Sequence, residues 1–337
     1  MNDKEKLFVS VIVPCLNEER QIAKCLDSLL TSDYPHDLLE ILVIDGGSSD
    51  KTREIVEEFS RKSEVVKLLE NPHRYTPFAY NIGIRNARGD AVAIMSAHAA
   101  YPEDYLSKCA KYLVEYDADN VGGVLLPKPQ TGSLFNKALS LVLTEKFGSG
   151  GAAFRGVTGD QPREVDTLFG GFYRKDVFDR IGMFNEHLIR NQDMDINTRL
   201  TRAGGKILLF PDIECVVYDS RYSYSKFVKK NFANGMWTIL PYRYSSNPLK
   251  ARHVIPGVFV SGLVVGGFLS IFSAFIRYLY FGVLGLYFGL NTYYSAKVAR
   301  REKNIRLFPM MFLVFPSRHI SQGLGVLKGL LRLVTGK

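Results

Sequence analysis

The chain has 337 residues, of which 46% are hydrophobic and 23% are charged. This length and composition exclude a disulfide-stapled miniprotein and a disordered chain, and they allow about two domains of roughly 150 residues each. The charge is unevenly divided, because residues 1–220 hold 26 Lys and Arg against 33 Asp and Glu, whereas residues 221–337 hold 17 against one. Such a division is more typical of a membrane-surface protein than of one that binds nucleic acid, so we expect no nucleic-acid partner.

The first part of the chain alternates apolar, β-branched runs with amphipathic helical patterns. This alternation predicts an α/β fold with a Rossmann-like, mostly parallel sheet whose ligand site lies at the carboxyl ends of the strands. The predicted strands are residues 8–13, 38–44, 65–69, 91–95, 121–126 and 206–210, and the predicted helices are residues 18–30, 49–59, 76–86, 102–116, 175–181 and 193–203. The first domain is expected to cover residues 1–225.

The second part of the chain carries two long uncharged runs, residues 254–276 and 278–296, which only Arg277 separates. Each run is long enough to cross a bilayer as a helix, so residues 253–296 are predicted to form a transmembrane hairpin with Arg277 at its outward-facing tip. The Lys and Arg residues that flank the pair place its outer ends in the cytoplasm. We therefore expect a multi-pass protein of the cell membrane with a cytoplasmic catalytic domain. Residues 226–252 would be a basic and aromatic interfacial linker, and residues 297–337 a basic loop followed by re-entrant or interfacial helices.

Several polar residues lie where a site would be expected. Asp45 ends the second strand ahead of a glycine turn and a helix, where a carboxylate can bind a base or ribose, although a turn with a helix cap is the more common explanation of such a residue alone. Asp193 and Asp195 begin a helix, so one of them is a candidate general base, and the alternative is simple stabilisation of the helix dipole. Ser96 and His98 close the fourth strand, and His98 is a candidate for binding a metal or phosphate, or else a hydrogen-bonded neighbour of the core.

A basic and aromatic patch that includes Lys229, Lys230 and Trp237 precedes the uncharged runs. It can be interpreted as an interfacial belt at the lipid headgroups or as a clamp for a diphosphate. Two G-x-x-x-G patterns, at residues 262–266 and 285–289, predict close helix approach unless their glycines merely reflect membrane-helix composition.

Four blocks in this order and spacing resemble family 2 glycosyltransferases with the GT-A fold, and the resemblance covers about residues 7–225. The blocks are Val-Ile-Val-Pro-Cys-Leu-Asn-Glu-Glu at 11–19, Ile-Asp-Gly-Gly-Ser-Ser-Asp at 44–50, Asn-Ile-Gly at 81–83 and Ala-Arg-Gly-Asp at 87–90. The remainder is similar to membrane-anchored members of the succinoglycan-type exopolysaccharide glucosyltransferase branch. A nucleotidyltransferase is disfavoured, because no Gly-rich loop follows the first strand.

The resemblance implies roles for individual residues. Pro14, Asn17 and Glu18 would line the nucleotide pocket, and Asp45 would contact the base. Asp193 would be the catalytic base. The family's D-x-D carboxylates, which hold the ribose and the metal-bridged diphosphate, fall on Ser96 and His98, so Ser96 is expected at the nucleotide and His98 as a ligand for Mn²⁺ or Mg²⁺, with metal dependence in doubt. The remaining residues expected at the nucleotide sugar are Asp195, Lys229, Lys230 and Trp237.

The function that follows is that of an inverting hexosyltransferase. It would move one sugar from a nucleotide sugar, expected to be a UDP-sugar, to a polyprenyl-diphosphate-linked or other membrane-associated glycan in surface polysaccharide assembly. The Gln-x-x-Arg-Trp motif of processive synthases is missing from residues 234–237, which favours single addition. The alternative is a membrane-anchored, nucleotide-sugar-binding pseudo-enzyme of the same fold, and a homo-oligomer is compatible with either function.

Overall fold

The computed structural model describes residues 7–129, 133–149, 161–219, 223–243 and 251–335. The chain divides into two compact units. The first unit comprises Met1–Pro127 and Gly156–Tyr218, and the second comprises Lys128–Arg155 and Asp219–Lys337. The sequence prediction placed residues 128–155 in the first domain, whereas the structure places them in the second unit.

The first unit is built on a nine-stranded sheet in the order β3-β2-β1-β4-β8-β6-β9-β5, with β7 paired to β9. Its strands are β1 (Val9–Cys15), β2 (Leu39–Asp45), β3 (Val66–Glu70), β4 (Ala91–Ile94), β5 (Ala99–Ala100), β6 (Asn120–Pro129), β7 (Arg163–Glu164), β8 (Gly171–Arg174) and β9 (Ile207–Asp219). Its helices are α1 (Ile22–Leu30), α2 (Thr52–Lys62), α3 (Thr76–Asn86), α4 (Tyr105–Glu115), α7 (Val177–Ile181) and α8 (Gln192–Arg202). The predicted α/β class is confirmed for this unit.

The parallel part of the sheet is centred on β1, which pairs with β2 on one side and β4 on the other. Every residue of β2 is buried, which is why this strand is a nearly unbroken apolar run in the sequence. Beyond β4 the sheet becomes antiparallel, because β8 pairs with both β4 and β6. The four-residue β8 is too short to give a clear strand pattern, and the sequence prediction missed it.

Two of the resemblance blocks contain glycines that the packing requires. A β-carbon on Gly83 would lie 2.6 Å from the Ile12 side chain, so α3 lies directly against β1. A β-carbon on Gly89 would lie 2.5 Å from the carbonyl oxygen of Phe8. These glycines are therefore explained by close packing and need no contact with a ligand.

The carboxylate of Glu40 joins three strands and a loop at the end of the sheet opposite the predicted site. Glu40 is fully buried in β2 and accepts hydrogen bonds from Ser10 Oγ (2.7 Å), the Arg88 amide (2.7 Å) and Lys67 Nζ (3.2 Å). Burial alone would raise the pKa of Glu40, but these bonds outweigh it and lower the pKa below its usual value. The ionised form is therefore the one that stabilises this end of the unit.

The second unit is helical. Its helices are α5 (Leu134–Leu141), α6 (Lys146–Ser149), α9 (Tyr224–Ile239), α10 (Ala251–Ser261), a π-helical turn (Gly262–Gly266), α11 (Gly267–Leu269), α12 (Ala274–Arg301) and α13 (Leu307–Thr335). Its core contains Ala138 and Leu139 of α5, Val298 of α12, and Met311 and Phe315 of α13. The helices α9 and α13 pack closest, because β-carbons on Gly235, Gly325 and Gly329 would overlap the facing backbone. Of the predicted G-x-x-x-G glycines, Gly262, Gly285 and Gly289 have no such neighbour among the described residues, whereas a β-carbon on Gly266 would lie 3.2 Å from the Tyr280 ring.

A proline inside α13 is matched by an asparagine on α12. Pro316 has no N–H, so it leaves the carbonyl of Phe312 without its helical donor. Asn291, which is fully buried in α12, supplies the missing bond through Nδ2 at 3.0 Å. This bond joins the two helices at the point where α13 would otherwise hold an unpaired buried carbonyl.

Among the described helices, none is both long enough and apolar enough to cross a bilayer. The predicted hairpin at 253–296 is therefore not supported. The first uncharged run is divided among α10, the π-helical turn and α11, and the chain leaves helical structure before Ser273, whose side chain caps α12. The predicted tip is also wrong, because Arg277 lies in the first turns of α12 and donates to the carbonyls of Ser270 and Ile271.

We expect the substitution Glu40→Gln to destabilise the protein by about 2–4 kcal/mol at pH 7, because it removes a buried charge and leaves its donors poorly matched. Since the pKa of Glu40 is lowered on folding, the stabilising contribution is present at neutral pH and is lost as the pH falls through that pKa. Urea denaturation at pH 7 and at acidic pH measures both effects. The matched control is Glu57→Gln in the surface pair Arg53–Glu57, which should cost less than about 1 kcal/mol. Equal effects of the two substitutions would contradict the role of Glu40.

Candidate active site

The loops that follow β1 and β2 are held together by side-chain to backbone hydrogen bonds. The Asn17 amide donates to Ser48 Oγ (2.9 Å), and the Ser49 amide donates to Asn17 Oδ1 (2.8 Å). Asn17 has a positive φ of 56°, a conformation that Asn tolerates better than most residues. The Glu18 amide donates to Thr52 Oγ1 at 2.7 Å, which extends the contact to the start of α2. The two loops therefore form one wall at the carboxyl ends of the parallel strands.

Asp45 lies beneath this wall and is 2% exposed. Its Oδ1 accepts a 2.6 Å hydrogen bond from Ser48 Oγ, and the Ser48 amide lies 3.2 Å from both carboxylate oxygens. These bonds are those of the capped turn that the sequence left open as an alternative. Pro14 is in register with Ile44, so Pro14 and Asp45 reach the same edge of the sheet. Contact of Asp45 and Pro14 with a nucleotide stays a prediction.

Glu18, Ser96 and His98 come together beside the same wall. His98 Nδ1 lies 3.2 Å from Glu18 Oε1 and 3.3 Å from Ser96 Oγ. The Ser96 amide donates to the Tyr101 hydroxyl at 2.7 Å, which fixes the end of β4. Sequence reasoning identified all three residues of the cluster, but it did not find the contact between Glu18 and His98, which are 80 positions apart.

This cluster does not fit a metal held mainly by the protein. No group of three or more His, Cys, Asp or Glu side chains able to hold a metal occurs within the described ranges. Glu18 and His98 contact each other, and the third group is the hydroxyl of Ser96, a weaker donor than the carboxylate it replaces. We therefore assign no chemical step to a metal, and the interpretation of His98 as a metal ligand stays a prediction.

A third loop contributes to the same edge and was missed by the sequence analysis. The Asn71 amide donates to the carbonyl oxygen of Asp45 at 2.8 Å. Arg74 has a positive φ of 65°, and its carbonyl oxygen would lie 3.0 Å from a β-carbon on Gly46. The backbone of this loop therefore lies against the glycine turn after Asp45, and the Arg74 side chain is exposed. The Asn71-Pro72 turn after β3 was the available sequence signal.

Asp193 lies in the first turn of α8 with an unusual environment for a carboxylate. Its Oδ1 is buried and has no hydrogen-bond partner among the described residues. Burial raises the pKa of Asp193 from 3.8 to about 7. A helix N-terminus favours the charged form by only about 0.3–1 kcal/mol, so here desolvation outweighs the helix dipole. The result is a carboxylate that titrates near neutral pH, which suits a general base.

Asp195, two positions further along α8, has a different environment. It is 1% exposed, and its Oδ2 accepts bonds from Arg199 Nε (3.0 Å) and Nη2 (2.9 Å). Arg199 also donates to the carbonyls of Ile181 and Met183. The pair therefore anchors the loop after α7 to α8, and we interpret Asp195 as a positioning residue for Asp193. Its predicted contact with the nucleotide sugar stays a prediction.

Asn81 holds the other side of this loop. Its Nδ2 donates to the carbonyl oxygen of Phe184 (2.9 Å) and its Oδ1 accepts from the amide of the same residue (3.0 Å). The Tyr80 ring lies 4.7 Å from the Phe184 ring, measured between centroids. Burial and then the charge of Asp193 raise the pKa of the Tyr80 hydroxyl, as expected for a neighbour of that carboxylate. The block at 81–83 thus supports the surroundings of the candidate base.

Lys229, Lys230 and Trp237 lie on α9 in the second unit. Both lysine side chains are exposed, and Trp237 is half-buried. Their predicted place at the diphosphate stays a prediction.

A Rossmann-like unit with a polar cluster at the carboxyl ends of its parallel strands and a buried candidate base defines a GT-A type of transferase. The model for glycosyl transferase family 2 matches residues 10–182. The chain therefore belongs to glycosyltransferase family 2, whose members act on nucleotide sugars.

Two characterised relatives and one solved structure agree with this family. The chain is 31% identical to the dolichyl N-acetyl-alpha-D-glucosaminyl phosphate 3-beta-D-2,3-diacetamido-2,3-dideoxy-beta-D-glucuronosyltransferase of Methanococcus voltae, over 68% of this chain and 72% of that one. It is 29% identical to the succinoglycan biosynthesis protein ExoA of Rhizobium meliloti (strain 1021), over 62% of each chain. The mannosyltransferase PcManGT from Pyrobaculum calidifontis, solved in complex with GDP-Man and Mn²⁺, superposes with a TM-score of 0.61 at 19% identity, covering 96% of this chain and 87% of that one. At that identity the superposition shows the fold alone.

We expect the substitution Asp193→Asn to stabilise the protein at pH 8 by about 2–4 kcal/mol, since each pKa unit corresponds to about 1.4 kcal/mol. The folded-state pKa lies above the ordinary value, so the wild-type protein loses stability as the pH rises from about 4 to 7, and the Asn variant should not. Thermal unfolding across this pH range measures the difference. Asp195→Asn is the matched control on the same helix, and it should destabilise because it leaves Arg199 unmatched. Destabilisation by both substitutions at pH 8 would contradict the unpartnered burial of Asp193.

Proposed function

We propose that the protein is an inverting glycosyltransferase that transfers one hexose from a UDP-sugar to a lipid-linked glycan acceptor in surface polysaccharide or glycan assembly. The observation that carries this proposal is the buried, unpartnered Oδ1 of Asp193. A buried carboxylate oxygen without a protein donor is suited to accept the proton of an acceptor hydroxyl.

The chemistry requires one base and one stabilised leaving group. Asp193 takes the proton from the acceptor hydroxyl as its oxygen attacks the anomeric carbon of the donor sugar. The bond from that carbon to the diphosphate breaks on the opposite face, and the nucleoside diphosphate leaves with the electron pair. Inversion follows because a single displacement reverses the configuration at that carbon.

The nucleotide would be held by the wall at the carboxyl ends of β1 and β2. Pro14, Asn17, Glu18 and Asp45 reach this edge, with Ser96 and His98 beside it. The exposed Arg74, in the loop whose backbone lies against Gly46, is a candidate cation for the negative charge of the diphosphate.

The donor and acceptor classes are supported by the relatives. The name of the Methanococcus protein gives a sugar phosphate on dolichol, a polyisoprenoid, as its acceptor, and that of the Rhizobium protein gives polysaccharide biosynthesis as its role. The archaeal mannosyltransferase was solved with a nucleotide sugar. We extend these classes to this chain as a nucleotide-sugar donor and a polyprenyl-linked acceptor, and the choice of UDP rests on the family resemblance of the sequence.

A lipid-linked acceptor requires that the protein meets a membrane, and we propose that it does so at the cytoplasmic face of the cell membrane. Large apolar side chains stay exposed where α11 meets α12, namely Ile271 (66%), Phe272 (72%), Phe275 (77%) and Tyr278 (80%). A cluster of large, exposed apolar side chains is typical of an interaction surface. The excess of basic residues in this part of the chain would be attracted by anionic lipids.

A second candidate is a pseudo-enzyme that binds a nucleotide sugar without transferring it. The observation that favours it is the replacement of the D-x-D carboxylates by Ser96 and His98. The intact environment of Asp193 disfavours it, because a binding protein has no need of a carboxylate with a pKa near 7.

We expect the detergent-purified protein to release UDP from a UDP-sugar when a polyprenyl-diphosphate-linked sugar is added. The rate should rise with pH through a midpoint near 7, because Asp193 acts as a base only when ionised. Asp193→Asn should lower turnover by about 10²–10⁴-fold and leave nucleotide affinity nearly unchanged. The assay is UDP release across a panel of UDP-sugars in Mn²⁺, Mg²⁺ and EDTA.

The outcomes of this assay separate the candidates. Release that needs a metal and is weakened by His98→Ala would support His98 as a metal ligand. Release that survives EDTA would support diphosphate binding by the protein's own cations. Nucleotide binding without any turnover would contradict the transferase and favour the pseudo-enzyme.

We expect the double substitution Phe272→Ser and Phe275→Ser to lower binding to anionic lipid vesicles by fivefold or more, since it removes exposed aromatic groups from the proposed contact. Co-sedimentation with phosphatidylglycerol vesicles measures the bound fraction. Tyr116→Ser, at an exposed aromatic residue of the first unit, is the control and should leave binding unchanged. Equal binding by all three proteins would contradict this contact.

A further inference from the structure

The second unit contains a long apolar groove of about 880 Å³ that the proposed chemistry does not use. Its walls come from α9, α12 and α13, and include Val228, Phe232, Phe288, Leu313, Ile320 and Leu324. Several of these apolar side chains remain exposed, including Phe288 (44%), Leu313 (55%) and Leu324 (45%). A groove of this volume lies in the range of built ligand sites.

The lining of the groove extends along α13. Its residues on α13 recur every three or four positions from Pro309 to Leu324, so they form one continuous face of that helix. Fifteen residue steps along a helix correspond to about 22 Å. An extended apolar ligand matches this length better than a compact one does.

Two hydrogen bonds between helices hold the wall of the groove in place. Pro316 lies in the wall, and the Asn291 bond to Phe312 fixes α13 against α12 at that point. The hydroxyls of Tyr224 and Ser317, both lining residues, lie 2.8 Å apart and join α9 to α13. The walls are therefore tied together independently of any ligand.

Lys229 is the one charged residue in the described lining of this mainly apolar groove, whose other polar groups are the hydroxyls of Tyr224, Ser317 and Ser321. The acidic residues at 133–149 and 223–335 are Glu145 and Glu302. Glu145 is paired with Lys297 and Arg301, and Glu302 is paired with Lys137 at 2.7 Å. Within the described ranges Lys229 thus has no carboxylate partner. Its charge, near the N-terminal end of α9, is suited to an anion supplied from outside the protein.

We infer that this groove binds the isoprenoid chain of the acceptor, with Lys229 at its phosphate. An apolar channel with one unpaired cation is complementary to an amphiphile that has a long hydrocarbon chain and an anionic head. This inference rests on the proposed lipid-linked acceptor, and it assigns that acceptor's hydrocarbon part to named residues.

The test is equilibrium binding of radiolabelled geranylgeranyl phosphate to the full-length protein, with all variants in the same detergent. Leu313→Trp fills the groove at an exposed position, so it should weaken binding by tenfold or more. The matched control is Leu279→Trp, because Leu279 is similarly exposed (58%) on α12 and lies outside the groove lining. This control should stay within twofold of the wild-type protein.

The head-group contact is tested with a second pair. Lys229→Gln should weaken binding of geranylgeranyl phosphate by fivefold or more and leave binding of uncharged geranylgeraniol unchanged. Lys328→Gln, at an exposed lysine on α13 outside the groove, should change neither. Inorganic phosphate alone should not compete with the labelled ligand.

Equal binding by the Leu313→Trp and Leu279→Trp variants would overturn the inference. A second result would also overturn it: phosphatidylglycerol vesicles displace all the labelled geranylgeranyl phosphate, and Leu313→Trp abolishes the binding of these vesicles. The occupant of the groove would then be a membrane phospholipid. Binding of UDP-sugar is measured in the same samples. If the variants still bind UDP-sugar and bind geranylgeranyl phosphate as the wild-type protein does, only the inference about the groove is refuted. If the wild-type protein does not bind UDP-sugar, the proposed function is refuted.

Discussion

The parallel pairing of β2, β1 and β4 is the constraint on which the candidate site depends. Parallel strands in one sheet end at the same edge, so the segments that follow them meet although they are distant in sequence. The contacts of Asn17 with Ser48 and of Glu18 with His98 are direct results of this pairing. At the opposite edge, the buried charge of Glu40 joins β2 to β1, to β3 and to the loop before β4, so this charge and the candidate site lie at different ends of one sheet.

Much of the first unit could be predicted because its signals are local. The strands β1 and β2 are continuous apolar runs, and α1 and α2 show helical spacing, so their order and approximate bounds follow from periodicity alone. The residues at the strand ends were found for the same reason. The residue pattern alone leaves Asp193 and Asp195 as equal candidates, and the family resemblance chooses Asp193. The structure adds a difference in environment: Asp193 Oδ1 is buried without a donor among the described residues, whereas Asp195 is bound by Arg199.

The errors concern properties that depend on packing between distant segments. Counting uncharged residues from 254 to 276 suggested a single span, but it gave no weight to the serines at 270 and 273, where the helix is interrupted. The glycines of α9 and α13 allow these two helices to approach closely. A glycine has this effect only where another helix packs against it, and the sequence pattern does not show which helix that is. The assignment of α5 to the second unit depends on contacts with α12 and α13, which no local pattern reports.

That assignment affects how the chain can be made. Glu145, in the segment between α5 and α6, finds its partners Lys297 and Arg301 only 152 and 156 positions later. At about 5–20 residues per second, a ribosome needs about 8–30 seconds to supply them. During that interval Ala138 and Leu139 lack the part of their cover that α12 and α13 provide. A fragment that ends at residue 218 would keep residues 128–155 without the rest of the second unit, to which they belong. A fragment designed to contain the first unit alone therefore needs a short linker in place of residues 128–155.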